Sequence, residues 1–351
     1  MEVSPGKTSP RAEGYRQPAE WTPHRACWVA FPSDPELWPT LAEVQSSFVA
    51  MCRAIALPHA ARGGERLEIL VRDEAARAQA QTLLAGLDAG FHSAAFGDIW
   101  MRDIAPVFLT DARGEVASVR FVFNGWGGKY VYPGDEQIGA RVQALRSLPS
   151  FGSELVCEGG ALEVDGAGVC LTTREVALNP NRNPGRSERE VERALIDALG
   201  VERVIWVDRG LLNDHTDGHI DNTARFIAQG RVLCMRASDA GDPNAGVLAE
   251  IERALQATGL EVETITSPGL VTGRDGRPLP ASYLNFYIAN ASVVVPTFGS
   301  RHDETALARY EQLFPGRAVR GVPAKVLLEE GGTVHCITQQ EPLGTLNAGL
   351  P

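Results

Sequence analysis

The amino-acid sequence predicts an α/β fold in which a helix-then-strand unit recurs along the chain. The first observation is a set of five amphipathic helical patterns, each followed by an apolar, strand-like run. The second is the distance between successive helix starts, roughly 50–70 residues, which is typical of repeat arrays and propellers. An ordinary α/β sandwich shows the same alternation, so both architectures stay open at this point. The units cover residues 73–96, 138–157, 187–207, 244–266 and 303–324.

Local signals place individual elements along the chain. Before the first unit, apolar residues over 40–57 step by three and four, which predicts one further helix. In the third unit, Ser187 and Glu190 form a capping-box pattern that begins a helix, and Gly200 ends it. The run VERVIWV that follows predicts a strand. Past the fourth unit, GRDGRPLP at 273–280 predicts a hairpin.

Each unit is followed by a polar segment that the core of a repeat does not need. If the five units close around one axis, these segments can converge on a central pocket. The segments are GDIWMRD at 97–103, EGGALEV at 158–164, NDHTDGHIDN at 213–222, YLNFYIAN at 283–290 and LEEGGTVHC at 328–336.

The composition is that of a globular protein that binds neither nucleic acid nor membranes. The 351 residues are 44% hydrophobic and 22% charged, and Gly 36 with Pro 22 indicates many tight turns. The net charge of −11 makes nucleic acid a poor ligand and suits a cationic one. No apolar run is long enough for a transmembrane helix.

We expect a single domain over residues 15–351 after a flexible lead at residues 1–14. The lead is rich in Ser, Pro and Gly and has no apolar core, so it does not resemble a signal peptide. The six cysteines are scattered without a C-x-x-C pair, and several lie in apolar runs. This usage indicates free thiols in a reducing cytoplasm. A homo-oligomer is compatible with the sequence.

The segment NDHTDGHIDN admits three interpretations. His215 and His219 are four apart, and Asp217, His219 and Asp221 form a D-x-H-x-D pattern that occurs in binuclear manganese enzymes. Gly218 argues against the regular helix that a His pair would need, and no second Asp-rich motif is present. A solvated loop and an acid/base histidine flanked by carboxylates are the other two interpretations.

Cys336 is the candidate nucleophile, in the polar segment EEGGTVHCITQQEP. A cysteine taken alone is more often a buried core residue. The polar neighbours favour chemistry, and a thiolate needs a base or cationic partner, which His219 can supply. His335 is expected to point to the opposite side, because residues 333–338 are interpreted as a strand.

Four further residues have both a structural and a functional interpretation. Asp103 pairs with an arginine or binds a ligand, and Glu158 ends a turn or acts as a site carboxylate. Trp100 is a core residue or a pocket wall. Asn285 satisfies backbone groups or contacts a substrate.

Eight segments in order together resemble the agmatine deiminase family of guanidino-group-modifying enzymes, the pentein superfamily, which also contains the peptidyl-arginine deiminases. The resemblance spans residues 17–342 and implies a five-bladed α/β propeller of five ββαβ units around a central pocket. The segments are QPAEWTPHRACWVAFP, DIWMRDIAPVF, FNGWGGKY, EGGALEVDGAGVCLTT, LNPNRNP, NDHTDGHIDNTARF, NFYIANASVVVP and GGTVHCITQQEP.

The resemblance also implies a role for each matching residue. Two positions depart from the family pattern beside the site: Ile104–Ala105 replaces the common Thr-Gly, and Ala161 replaces a common Ser. The implied roles are nucleophile for Cys336, general acid/base for His219, carboxylates that hold the guanidinium for Asp103 and Asp221, orientation of the histidine for Glu158, and substrate binding for Trp100 and Asn285.

The implied reaction is hydrolysis of agmatine, a small guanidino cation, to N-carbamoylputrescine and ammonia in putrescine biosynthesis. It proceeds through an amidino-cysteine intermediate, so neither a metal nor an organic cofactor is expected. For the distal amine of the substrate, Glu329 and Glu330 are candidates.

Three alternatives stay open from sequence. They are a peptidyl-arginine or free-arginine deiminase or amidinotransferase on the same scaffold, a manganese-dependent ureohydrolase that releases urea, and a non-catalytic guanidine-binding module.

Overall fold

The computed structural model describes residues 8–344, which form five small mixed β-sheets with helices packed against them. The strands in this range are β1 (His24–Ala30), β2 (Arg66–Val71), β3 (Ala89–Ser93), β4 (Val107–Thr110), β5 (Val116–Val122), β6 (Ser150–Val156), β7 (Glu163–Val164), β8 (Val169–Thr173), β9 (Arg203–Val207), β10 (Ala224–Ala228), β11 (Arg231–Arg236), β12 (Glu261–Thr266), β13 (Tyr287–Ile288), β14 (Ser292–Thr297), β15 (Ala318–Pro323) and β16 (Gln339–Pro342).

The helices differ in length according to their place in the fold. The long ones connect parallel strands, whereas the four-residue ones lie in loops, two of them between sheets and two within the crossover of a single sheet. They are α1 (Leu41–Ala56), α2 (Glu74–Leu83), α3 (Met101–Ile104), α4 (Gly125–Gly128), α5 (Asp135–Arg146), α6 (Arg174–Ala177), α7 (Glu188–Leu199), α8 (Ala245–Gln256), α9 (Asp303–Leu313) and α10 (Lys325–Leu328). Short 3-10 helices occupy Arg11–Glu13, Gly159–Ala161 and Ile220–Asn222.

Every sheet is built from the same ββαβ unit. In the sheets β4–β5–β6, β7–β8–β9, β10–β11–β12 and β13–β14–β15, the first two strands are antiparallel and the last two are parallel. The parallel pair is joined through α5, α7, α8 or α9, as a parallel connection requires a crossover.

The fifth sheet joins the two ends of the described chain. Its order is β16–β1–β2–β3, with β16 antiparallel to β1 and the other pairs parallel. The register places Trp28 opposite Gln339. Pairing of β16 with β1 therefore holds the segment just before residue 339 against the N-terminal part of the fold.

The predicted helix-then-strand units are all present, and the structure adds one. The helix expected over 40–57 is α1, and with β2 it forms a sixth helix–strand pair. The predicted unit 73–96 is α2 and β3, which extends the same sheet and does not start a new one. The linker between α1 and β2 is long, so this pair did not share the short helix-to-strand spacing of the others.

Two local predictions are confirmed. Ser187 and Glu190 form a reciprocal capping box at α7, and Gly200 ends the helix in a left-handed conformation. At 273–280, a bridge between Thr272 and Pro278 closes the expected turn.

Two apolar clusters lie between the sheets and helices. The larger includes Trp28, Phe48 and Tyr283, and the smaller includes Leu109 and Leu195. All six cysteines are free and buried, including those expected in apolar runs.

The predicted lead is covered only in part, since residues 1–7 lie outside the described residues. Residues 8–14 contain the 3-10 helix Arg11–Glu13, and Tyr15 is buried against the second cluster. In residues 8–344, none of the helices has the length and apolar character needed to span a membrane.

Candidate active site

The candidate site is assembled from the same connection in each of the five sheets. This connection links the last strand of one sheet to the first strand of the next, so equivalent segments supply the site, as the polar segments predicted. Asp103 lies between β3 and β4, Glu158 between β6 and β7, His219 and Asp221 between β9 and β10, Asn285 between β12 and β13, and Cys336 between β15 and β16.

A cavity of about 160 Å³ leads to these residues. Asp103 and Cys336 line it, whereas His219, Asp221 and Glu158 are buried and do not line the cavity. Among residues 8–344, no lysine or arginine side chain lines it. The lining consists of Asp98, Trp100, Asp103, Trp126, Tyr130, Tyr132, His215, Thr216, Glu329, Glu330, Gly331 and Cys336.

Three of the predicted site residues meet at Gly160. A Cβ atom at this position would lie 2.5 Å from His219 Nδ1, 3.0 Å from Asp103 Oδ1 and 3.1 Å from Asp221 Oδ2. Any side chain here would collide with His219 and crowd the two carboxylates. The second glycine of the EGG segment is therefore required by the close approach of its backbone to the site.

His219 is fully buried between two carboxylates. Its Nε2 lies 3.6 Å from Glu158 Oε2 and its Nδ1 lies 3.9 Å from Asp103 Oδ1, ion-pair distances that are longer than hydrogen bonds. Burial alone would lower the pKa of His219, but the two carboxylates outweigh it and raise that pKa to about 9. The ring is therefore an imidazolium at neutral pH and can give up a proton.

Arg182 holds Glu158 and was not identified from sequence. Its Nε donates to both Glu158 oxygens at 3.0 Å, and its Nη1 donates to Asp217 Oδ2 at 2.6 Å. Burial would raise the pKa of Glu158, but His219 and Arg182 hold it below its usual value. The only sequence signal was the motif LNPNRNP, which carried no role.

The D-x-H-x-D pattern does not act as one group. Asp217 points to Arg182 and to Lys129, whose Nζ lies 2.7 Å away. The backbone at Asp217 and Gly218 has positive φ, so the segment is a turn and not a helix, as Gly218 predicted. Within residues 8–344, no three or more His, Cys, Asp or Glu side chains are grouped as metal ligands.

Asp103 is held by two donors that leave it facing the cavity. Trp126 Nε1 donates to Oδ2 at 2.8 Å and the Gly160 N–H donates to Oδ1 at 3.0 Å. Burial, with Glu158 nearby, raises the pKa of Asp103 to about 6 despite the opposing charge of His219. It is ionised at neutral pH and becomes easier to ionise when a cation binds.

Asp221 has one engaged and one unengaged oxygen. His335 Nδ1 lies 2.8 Å from Oδ2, whereas Oδ1 is buried without a hydrogen-bond partner among the described residues. Burial would raise the pKa of Asp221, but His335 keeps it below its usual value. The expectation that His335 points away on a strand is wrong, because residues 334–337 form a turn that directs its ring to Asp221.

Cys336 is buried, and Asn285 supports its loop. Asn285 Nδ2 lies 3.2 Å from Sγ, and its Oδ1 accepts from the His335 N–H at 3.0 Å. A Cβ at Gly332 would lie 2.6 Å from Trp100 and 3.0 Å from Cys336 Sγ, so this glycine lets the loop fold over the thiol. Burial, then the charges of Asp221 and Asp103, raises the pKa of Cys336 well above its usual value.

The two predicted substrate-binding residues occupy different positions. Trp100 lines the cavity, and its Nε1 donates to Asp98 Oδ2 at 2.7 Å. Asn285 does not line the cavity and contacts the nucleophile loop instead. Glu329 and Glu330, the candidates for the distal end, both line the cavity, and Glu329 also pairs with Arg274 at 2.8 Å.

Comparisons with known proteins agree with this geometry. The model of the Porphyromonas-type peptidyl-arginine deiminase family matches residues 16–342. An agmatine deiminase from Pseudomonas aeruginosa is 35% identical over 368 residues, covering 95% of this chain and 97% of its own. The same enzyme from Ectopseudomonas mendocina is 34% identical, with the same coverage. The solved agmatine deiminase of Enterococcus faecalis is 29% identical and superposes with a TM-score of 0.89 over 97% of this chain and 99% of its own.

The electrostatics of His219 can be tested directly. We expect its ring to titrate near pH 9 in NMR of isotope-labelled protein, because the nearby carboxylates favour the imidazolium. Asp103→Asn should move the titration to lower pH, since it removes the strongest charge that raises the pKa of His219. A ring that titrates near its ordinary value of about 6.5 in both proteins would refute the charge arrangement.

Proposed function

The chain belongs to the Porphyromonas-type peptidyl-arginine deiminase family, and from this premise we propose that it is an agmatine deiminase. The reaction is hydrolysis of the guanidinium of agmatine to N-carbamoylputrescine and ammonia. The observation that carries the proposal is an acidic cavity that a thiol and carboxylates line, with no lysine or arginine among its described lining residues and with His219 and Asp221 buried nearby.

Asp103 and Asp221 bind the guanidinium in this proposal. The guanidinium is planar and cationic, and its N–H groups match carboxylate oxygens in charge-assisted hydrogen bonds. Asp103 already faces the cavity, and Asp221 offers an unpartnered oxygen. Asp221 is buried and does not line the cavity, so the guanidinium must insert beyond the cavity to reach it.

The substrate itself activates Cys336. In the free protein, burial and two carboxylates hold the thiol protonated. A guanidinium that neutralises Asp103 and Asp221 removes these repulsive charges and adds a positive one beside the sulfur, which lowers the pKa of the thiol. The thiol releases its proton to solvent, so thiolate formation is coupled to binding of the correct cation.

Attack and hydrolysis then use one histidine twice. The Cys336 thiolate adds to the guanidinium carbon, and the His219 imidazolium gives its proton to the departing ammonia. An N-alkyl amidino-thioether remains on the sulfur. His219, now neutral, takes a proton from water as the oxygen adds to the same carbon, and the carbon–sulfur bond breaks to release the ureido product and the thiol. Glu158, fixed by Arg182, keeps the ring oriented.

The charge of the cavity favours agmatine over arginine. Asp98, Glu329 and Glu330 line the cavity, and in this proposal the distal end of the substrate lies beside them. A second cation is attracted there, and Tyr130 and Tyr132 offer aromatic faces. The α-carboxylate of arginine would meet these acids without a lining lysine or arginine. A peptidyl-arginine or free-arginine deiminase, which the family description keeps as the second candidate, is less well supported.

The wider architecture is part of the same proposal. Five ββαβ sheets that each direct the equivalent connection to one site support a five-bladed propeller around a central pocket, formed by one domain over residues 15–351. Six free, buried cysteines support a cytoplasmic location, where agmatine hydrolysis supplies putrescine synthesis.

Product identity tests the proposal. Incubation with agmatine should give ammonia and N-carbamoylputrescine, unaffected by chelator, measured by chromatography. Cys336→Ala should bind agmatine without turnover because it lacks the nucleophile, whereas Cys234→Ala, which removes another buried thiol, should stay active. Urea with putrescine, lost on chelation, would instead establish a metal-dependent ureohydrolase. Faster turnover of arginine or a peptidyl-arginine than of agmatine would favour the second candidate.

Glu330 tests recognition of the distal ammonium. Glu330→Gln should raise KM for agmatine about two- to fivefold, the effect expected of an exposed ion pair. KM for butylguanidine, which lacks the amine, should not change. Glu304→Gln, an exposed glutamate on α9, is the matched control. Equal effects on both substrates would place the distal amine elsewhere.

A further inference from the structure

His335 lies between two buried carboxylates, one of which is Asp221. Its Nδ1 lies 2.8 Å from Asp221 Oδ2 and its Nε2 lies 2.8 Å from Glu20 Oε2. All three side chains are buried. Glu20 comes from the QPAEW segment near the start of the described chain and Asp221 from the connection before β10, so His335 joins two distant parts of the fold.

The hydrogen-bond inventory fixes the charge of this unit. An ionised carboxylate only accepts hydrogen bonds, and a neutral imidazole has a single N–H to donate. Two contacts of 2.8 Å to carboxylates therefore require a proton on both ring nitrogens, or a proton on one of the acids. In either case each contact holds one proton, and the three side chains together carry one net negative charge.

Glu20 is itself held by two arginines and a backbone N–H. Arg225 Nη2 lies 2.9 Å from Oε1, which also accepts from the Ile288 N–H at 2.8 Å, and Arg102 Nη2 is 3.6 Å from Oε2. Arg225 in turn donates to Glu163 and to backbone carbonyls. Burial would raise the pKa of Glu20, but these cations hold it well below its usual value. A fixed Glu20 gives His335 a single orientation.

The unit ends at Asp221 Oδ1, the carboxylate oxygen that has no hydrogen-bond partner among the described residues. With Oδ2 engaged by His335, rotation of the carboxylate is blocked and Oδ1 is left as the free acceptor. Neither Glu20 nor His335 lines the cavity, and both ring nitrogens of His335 are already engaged by carboxylates.

We propose that Glu20 and His335 are positioning residues that hold Asp221 ionised with Oδ1 directed at the guanidinium. This inference rests on the proposed function. In this role His335, the residue next to the nucleophile, sets how Asp221 binds the substrate and transfers no proton in the reaction.

Two amide substitutions at residue 335 separate the two contacts. The amide nitrogen of asparagine takes about the place of Nδ1, so His335→Asn keeps a donor to Asp221 and loses the hydrogen bond to Glu20. The amide nitrogen of glutamine takes about the place of Nε2, so His335→Gln keeps the hydrogen bond to Glu20 and loses the one to Asp221. Both remove the same charge and a similar volume, which makes each the control for the other.

The measurement is calorimetric binding of agmatine and of butylguanidine to Cys336→Ala protein with and without these substitutions. We expect His335→Gln to weaken both ligands roughly 10- to 100-fold, the effect of losing a charge-assisted hydrogen bond, and His335→Asn to restore much of the loss. 1,4-Diaminobutane, which has no guanidinium, should bind the three proteins equally.

The outcomes separate the two proposals. Suppose that the Cys336→Ala protein binds guanidinium cations and that its His335→Gln and His335→Asn variants bind them with the same affinity as each other. The positioning role is then wrong and the proposed function stands. If the Cys336→Ala protein binds no guanidinium cation, the proposed function fails and the positioning role with it.

A structure of the Cys336→Ala protein with agmatine covers the case in which both variants fail to fold. We expect Oδ1 of Asp221 on the guanidinium and Oδ2 still on His335. An Asp221 that releases His335 to meet the ligand would overturn the inference.

Discussion

The burial of several carboxylates around one thiol is the constraint on which the structure depends. Asp103, Glu158 and Asp221 are all buried within reach of Cys336 or His219. Isolated buried charges are costly, so each must find a cation or strong donors. We propose that the site uses this cost, because a bound guanidinium would add positive charge beside Asp103 and Asp221.

The groups that donate to these acids lie behind the site. Arg182 lies behind Glu158, His335 lies behind Asp221, and Arg225 lies behind Glu20. Placing them there leaves the cavity side acidic and keeps the carboxylates in one orientation. Such pre-organisation reduces the cost of rearrangement when substrate binds and when charge develops during reaction.

Periodicity and position predicted much of the fold and most of the candidate site. The helix–strand units are local patterns, and Asp103, Glu158, His219 and Cys336 could be found because each lies in the polar segment after a unit. The roles of these residues stay predictions, as does the closed propeller.

The compensating residues could not be predicted, because their partners are distant in sequence. Glu20 and His335 are 315 positions apart, and Trp126 reaches Asp103 across 23. A buried arginine or glutamate has no periodic signature of its own. His335 was misjudged for a related reason: a strand was expected where the glycine pair and tertiary contacts with Asn285 produce a turn.

The central claim is that binding of a guanidinium converts Cys336 into a nucleophile that attacks its carbon. A single turnover of agmatine with excess protein, quenched in acid at successive times and analysed by mass spectrometry, tests it most directly. We expect a transient mass gain equal to agmatine minus ammonia, confined to the peptide that contains Cys336. Release of ammonia and the ureido product with no adduct on Cys336 at any time would contradict it.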